Sequence, residues 1–115
     1  MLEADRRDRD MATNRLQILE QMLAQDPGNT FARYGLAMEY AAREQWEDAV
    51  REFQALLEGE ENYPAAYYHG GQALEKLGEV EQARKMYEKG VEISARKGDL
   101  HTRSEIEAAL NLLPV

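Results

Sequence analysis

The chain contains no cysteine. Disulfides, thiolate zinc sites and thiol nucleophiles are excluded at once. Only two histidines are present, His69 and His101. They lie far apart, and neither has a second ligand at metal-binding spacing. The acidic run at Glu58, Glu60 and Glu61 lacks the Asp-x-Asp-x-Asp-Gly frame of a calcium loop and reads as a solvated turn. No set of nucleophile, base and oxyanion donor is legible. No catalytic residue, cofactor or metal is therefore expected, and the chain is not read as an enzyme.

Cations are also scarce: 14 Lys and Arg stand against 22 Asp and Glu, a net charge of −8. Such a surface repels phosphate backbones and anionic lipid, so neither nucleic acid nor membrane is expected as a partner. No apolar run approaches the roughly 18 residues that a membrane helix needs. The opening MLEADRRDRD has no apolar core behind its charges and does not read as a secretory signal, which leaves the cytoplasm as the expected compartment. Met11-Ala-Thr resembles a second start of translation. Residues 1–11 are accordingly set aside as a charged leader, either a disordered arm or the solvated start of the first helix.

What remains is rich in Ala, Leu, Glu, Gln, Arg and Met, all good helix formers, with just three prolines to interrupt them. Leu16, Leu19, Met22 and Leu23 recur at helical spacing and predict a helix from about Ala12 to Gln25. Asp26-Pro27-Gly28-Asn29 ends it. A second helix is expected from Thr30, a plausible N-cap, to Arg43, and a third from Gln45 or Trp46 to Glu58, with Gly59 as its breaker. The short link between these two forces them antiparallel. Pro64 suits the first turn of a fourth helix that stops at Gly78. A fifth runs from Glu79 or Val80 to Arg96. A sixth runs from Leu100 or Thr102 to Leu113, with Thr102 and Glu105 in capping-box order and with Ile106, Ala109, Leu110 and Leu113 as its apolar stripe. His101 is expected in the connection before it, near Asp99.

The strongest signal is a self-match. Ala49 aligns with Ala83 at an offset of 34 residues, and the same offset pairs Ala32 with Ala66, Tyr34 with Tyr68, Ala37 with Gly71 and Phe53 with Tyr87. A fixed period of this length means stacked units. Small residues at 37, 71, 49 and 83 let helices approach where they cross, and Tyr40, Phe53, Leu74 and Tyr87 fill the space between them.

This pattern resembles the tetratricopeptide repeat (TPR), a 34-residue helix–turn–helix unit. Leu36-Ala37 with Tyr40, and Gly70-Gly71 with Leu74, stand at the first-helix positions. Ala49 with Phe53, and Ala83 with Tyr87, stand at the second. Arg33 occupies a place where a bulky residue is usual, and the family's terminal proline falls on Glu61 and Ala95. Pro27 does fit that place. The resemblance implies an all-α fold, a superhelix of antiparallel helix hairpins with about six helices. Residues 12–115 form one domain: a half repeat at 12–29, repeats at 30–63 and 64–97, and a capping helix within 98–115.

The resemblance further implies that the first helix of each unit lines a concave surface able to bind a peptide or helix of another protein. Phe31, Tyr34, Met38, Tyr68, His69 and Gln72 are the candidate contacts. Phe31, Tyr34 and Met38 form an apolar stripe beyond what packing requires, and aromatic-plus-Met surface suits protein binding. The other reading packs Phe31 and Tyr34 down on Leu19, Met22 and Leu23. Tyr34, Met38, Ala65, Tyr68 and His69 stand where one branch of the family carries the cations that grip a terminal carboxylate, so that mode is not expected. The chain is thus read as an interaction module with an adaptor or scaffold role. The alternative is a self-assembly element, forming homo-oligomers through Leu16, Ile18, Leu112 and Val115.

Overall fold

The computed structural model describes residues 2–115, with side chains from Asn14 onward. Six helices follow one another: α1 (Leu2–Gln25), α2 (Thr30–Ala42), α3 (Trp46–Gly59), α4 (Pro64–Lys76), α5 (Val80–Lys97) and α6 (Leu100–Asn111). Among the described residues there is no strand, and no helix is long and apolar enough to cross a membrane. The first helix starts at Leu2 rather than near Ala12, so its backbone runs through most of the charged leader.

Each helix packs antiparallel on the next, and three of the turns share one construction. After α2, the amide of Glu44 donates to the carbonyl of Ala41 (3.0 Å) and that of Gln45 to Tyr40 (2.9 Å). After α4, Gly78 donates to Glu75 (2.9 Å) and Glu79 to Leu74 (2.9 Å). After α5, Gly98 donates to Ala95 (3.2 Å) and Asp99 to Ser94 (2.9 Å). This is the Schellman arrangement, and it requires a left-handed residue at its centre. Gly78 and Gly98 supply it at φ 78° and 75°; Glu44 supplies it at φ 58°.

Helices α2 to α6 start where the sequence puts them, but two of the caps differ from expectation. The cap of α2 is Asn29, not Thr30: its side-chain oxygen accepts from the amide of Ala32 (3.0 Å). The cap of α6 is Asp99, not Thr102: its carboxylate accepts from the amide of Thr102 (3.1 Å). In both cases a residue ahead of the expected one turns its side-chain oxygen onto an otherwise free amide in the first turn. The earlier start puts His101 in the first turn of α6, exposed and paired with Glu105 (3.2 Å), rather than in a connection. Pro64 is the first residue of α4, where its missing N–H costs nothing.

The core is built where small residues let helices meet. Ala37, Ala49 and Ala83 are fully buried, beside Phe53 and Tyr87. A Cβ on Gly71 would stand 2.1 Å from Cε1 of Tyr87, so the ring occupies the space that a side chain there would need. Gly90 marks a three-way contact that the sequence reading did not name. A Cβ there would come within 2.6 Å of Tyr67 on α4 and 2.9 Å of Ile106 on α6. A smaller cluster of Leu19, Ala32 and Leu36 joins α1 to α2, and Tyr40 packs against both clusters.

Along the stack α2 touches α4 and α4 touches α6, whereas among the described residues α1, α3 and α5 do not meet one another. The units are therefore tighter on the side of α2, α4 and α6, which becomes the inner side of the curve. Helix α5 has 18 residues against 14 in α3, about one extra turn, so α6 starts later than a strict repetition would put it.

Candidate functional site

The inner face is built on a row of rings. Tyr34 on α2 meets Phe53 of α3 edge-on at 6.2 Å and lies 5.2 Å from Tyr63 and 6.2 Å from His69. His69 on α4 stacks over Phe53 at 6.4 Å and stands 5.1 Å from Tyr68. Such contacts hold rings in fixed orientations, which lowers the entropy lost when a ligand covers them. Tyr34, Tyr63 and Tyr68 are half-buried and pack on the main core from the inner side.

Burial governs the titration of this row. It pushes the phenol of Tyr34 up, with a smaller push from Tyr63, and it raises Tyr63 itself. Burial also holds the imidazole of His69 below its ordinary range, against the opposing effects of a hydrogen bond to Gln72 and the charge of Glu105 on α6. Nδ1 of His69 lies 3.2 Å from Oε1 of Gln72. At neutral pH the row is an uncharged, largely apolar surface with a few polar handles.

Three further observations place the remaining candidates. Met38 packs half-buried against the main core cluster, and Gln72 is exposed. Phe31 stands clear of the body at 74% exposure and does not pack on Leu19, Met22 and Leu23. The space beside α2 that it would have to enter is filled by Leu19, whose Cδ2 lies 3.1 Å from where a Cβ on Gly35 would be. Tyr34, likewise, belongs to the main core cluster rather than to the cluster of α1.

Arg33 is withdrawn from the inner face: its guanidinium donates to Glu52 (2.8 Å) and to the carbonyl of Pro27 (3.0 Å). Its bulk in the wall between α2 and α3 thus comes with an ion pair. At the far end of the face a cleft of about 300 Å³ opens, lined by Ala41, Trp46, His69, Gln72, Glu75 and Lys76. Trp46, Tyr63 and Glu75 were not among the candidates. Trp46 and Tyr63 flank inner-face helices as the first residue of α3 and the cap of α4, and their aromatic character at these ends was the available signal.

The sequence profile described as tetratricopeptide repeat matches residues 16–67. A TPR repeat-containing protein of Pseudomonas aeruginosa is 30% identical over 95 residues, covering 83% of this chain and 90% of that protein. The solution structure of a tetratricopeptide repeat domain protein from Salinibacter ruber superposes with a TM-score of 0.68 at 32% identity, over 74% of this chain and 86% of that one. The Yersinia enterocolitica type III secretion chaperone SycD, solved in complex with a peptide of the translocator YopD, superposes with a TM-score of 0.74 over 93% of this chain and 86% of that one. At 16% identity, the last is a likeness of fold alone.

Proposed function

We propose that this chain, which belongs to the tetratricopeptide repeat family, is a protein-interaction module that holds a peptide or helix of a partner protein on the face formed by α2, α4 and α6. The observation that carries this reading is the ring row itself. Tyr34 and His69 are braced from below by Phe53, Tyr68 stands against His69, and all three keep accessible surface, while Phe31 on the same helix as Tyr34 stands 74% exposed. Rigid aromatics of this kind dominate binding energy at protein interfaces. The peptide-bound SycD structure supports the use of such a fold for peptide capture. Phe31, Tyr34, Met38, Tyr68, His69 and Gln72 are the proposed contacts.

Selection of short peptides from a displayed library tests this. Peptides chosen on the wild-type protein should lose at least about tenfold in affinity for a Tyr34→Ala/Tyr68→Ala double variant. The variant should keep its helical circular dichroism. Equal binding to both proteins would remove the assignment.

A second reading, self-assembly, rests on apolar side chains away from that face: Ile18 is 55% exposed and Leu112 84% exposed. Leu16, offered with them on sequence grounds, is turned inward on Leu19 and is not available for it. Sedimentation at micromolar concentration decides the matter; a monomer removes this reading.

A further inference from the structure

The cleft at the far end of the inner face carries its own chemistry, which deepens the docking reading above and rests on it. Its apolar floor is Ala41 and the indole of Trp46; Gln72, Glu75 and Lys76 stand around it. Trp46 is the chain's only tryptophan and is half-buried. The ammonium of Lys76 lies 5.9 Å from the centre of its ring. The ring face is therefore open to a cation, and it already holds one supplied by the protein. The same indole borders a second cleft, lined also by Glu44, Glu47 and Asp48. Glu75 lines one cleft and Glu44, Glu47 and Asp48 the other, so carboxylates flank this ring on both sides; that of Asp48 is paired with Arg51 (2.7 Å).

Glu75 is prepared for a donor. The hydroxyl of the buried Tyr87 donates to its Oε2 and fixes the carboxylate. Oε1 takes no hydrogen bond among the described residues. An apolar side chain entering the cleft would desolvate Glu75 and give it nothing in return. An acidic one would meet the like charge of Glu75 on a protein that already carries −8. A lysine would lose its tight hydration shell to gain one contact. A guanidinium is more weakly hydrated, lies flat on an indole and donates through several N–H groups.

We propose that this cleft receives an arginine of the partner segment, its guanidinium over Trp46 in place of the Lys76 ammonium and hydrogen-bonded to Glu75. The arginine sits at one end of the aromatic row, so the partner segment carries apolar residues on one side of it. The internal ammonium competes for the same ring and sets a threshold that only a better cation crosses. It also keeps the indole covered while the cleft is empty.

The test uses immobilised pools of short peptides, degenerate except for a central Arg, Leu or Glu. Wild-type protein should be retained about tenfold more by the arginine pool than by the leucine pool. Glu75→Gln should bring the two pools level, and Lys76→Gln should raise retention by the arginine pool. Circular dichroism checks that both variants are folded. If the pools retain wild type without preference for arginine, or if Glu75→Gln keeps the preference, the arginine assignment is overturned while the docking face stands. A fall in arginine retention on Lys76→Gln also overturns it, because the ammonium would then serve the partner. If no pool retains the wild type, or the pools retain the Tyr34→Ala/Tyr68→Ala variant as well as the wild type, the docking face itself falls and the arginine site with it.

Discussion

Tyr87 lies so close over Gly71 that a single added methyl would stand 2.1 Å from its ring. The ring is fully buried and its hydroxyl is tied to Glu75, so it has no way to retreat. Gly71→Ala gains helix propensity, about 1 kcal/mol, but meets this ring. The clash should win, leaving the variant about 1–3 kcal/mol less stable. A urea midpoint measures this, and an unchanged or raised midpoint would show that α4 and α5 can slide apart.

Glu44 and Gly78 occupy the same place in successive turns, both left-handed. Only glycine adopts that conformation without strain, and a side chain there costs about 1–2 kcal/mol. Glu44→Gly recovers that strain but makes the unfolded chain more flexible, for a net gain of about 0.5–1 kcal/mol. Gly78→Ala should lose about 1 kcal/mol by the reverse argument. Thermal melts of the pair should move in opposite directions; melts that move together contradict the account.

The capping residues allow a sharper comparison. Asn29→Ala and Asp99→Ala each remove an oxygen that accepts from a first-turn amide, and each should cost about 1 kcal/mol. Thr30→Ala and Thr102→Ala, at the positions the sequence favoured, should be close to neutral. Denaturant titration of the four variants separates the two sets of caps.

His69 gives stability a pH dependence whose sign follows from its environment. Its folded pKa is lowered, chiefly by burial, with Gln72 and Glu105 opposing. The folded state therefore prefers the neutral ring. Its contribution is fully present above the unfolded value of about 6.5 and is lost as pH falls through the folded value. His69→Gln removes the titrating group. The stability difference between wild type and His69→Gln should therefore shift in favour of the variant as the medium is acidified. A ring proton titration by NMR reads the folded pKa directly, and a midpoint above 6.5 would contradict the assignment.

These particulars show what was legible in advance. The period, and the small residues at Ala37, Gly71, Ala49 and Ala83, are local facts of the sequence, and burial at the crossings follows from them. The caps were misplaced because Asn29-Thr30 offers two capping residues in a row, and only backbone geometry chooses between them. Gly90 was missed because its role depends on two other helices at once. The end of α5 and the start of α6 at Leu100 were legible too, because Lys97-Gly98-Asp99 is a local breaker. Within the inner face, Tyr34 and Tyr68 could be read from the repeat. Tyr63 and Trp46 lie at helix ends, where the period says nothing about which way a ring turns.

Tyr40 has a consequence of a different kind. It is the side chain that packs against both apolar clusters, with α1 on one side and the remaining helices on the other. In a linear stack, cooperativity passes only between neighbours. A truncation at this ring would therefore leave two folding units in place of one. Amide exchange should then run ahead in α1 while the body stays protected, and unfolding should broaden into separate steps. Loss of one phenol would in that sense loosen the tie between the end helix and the stack.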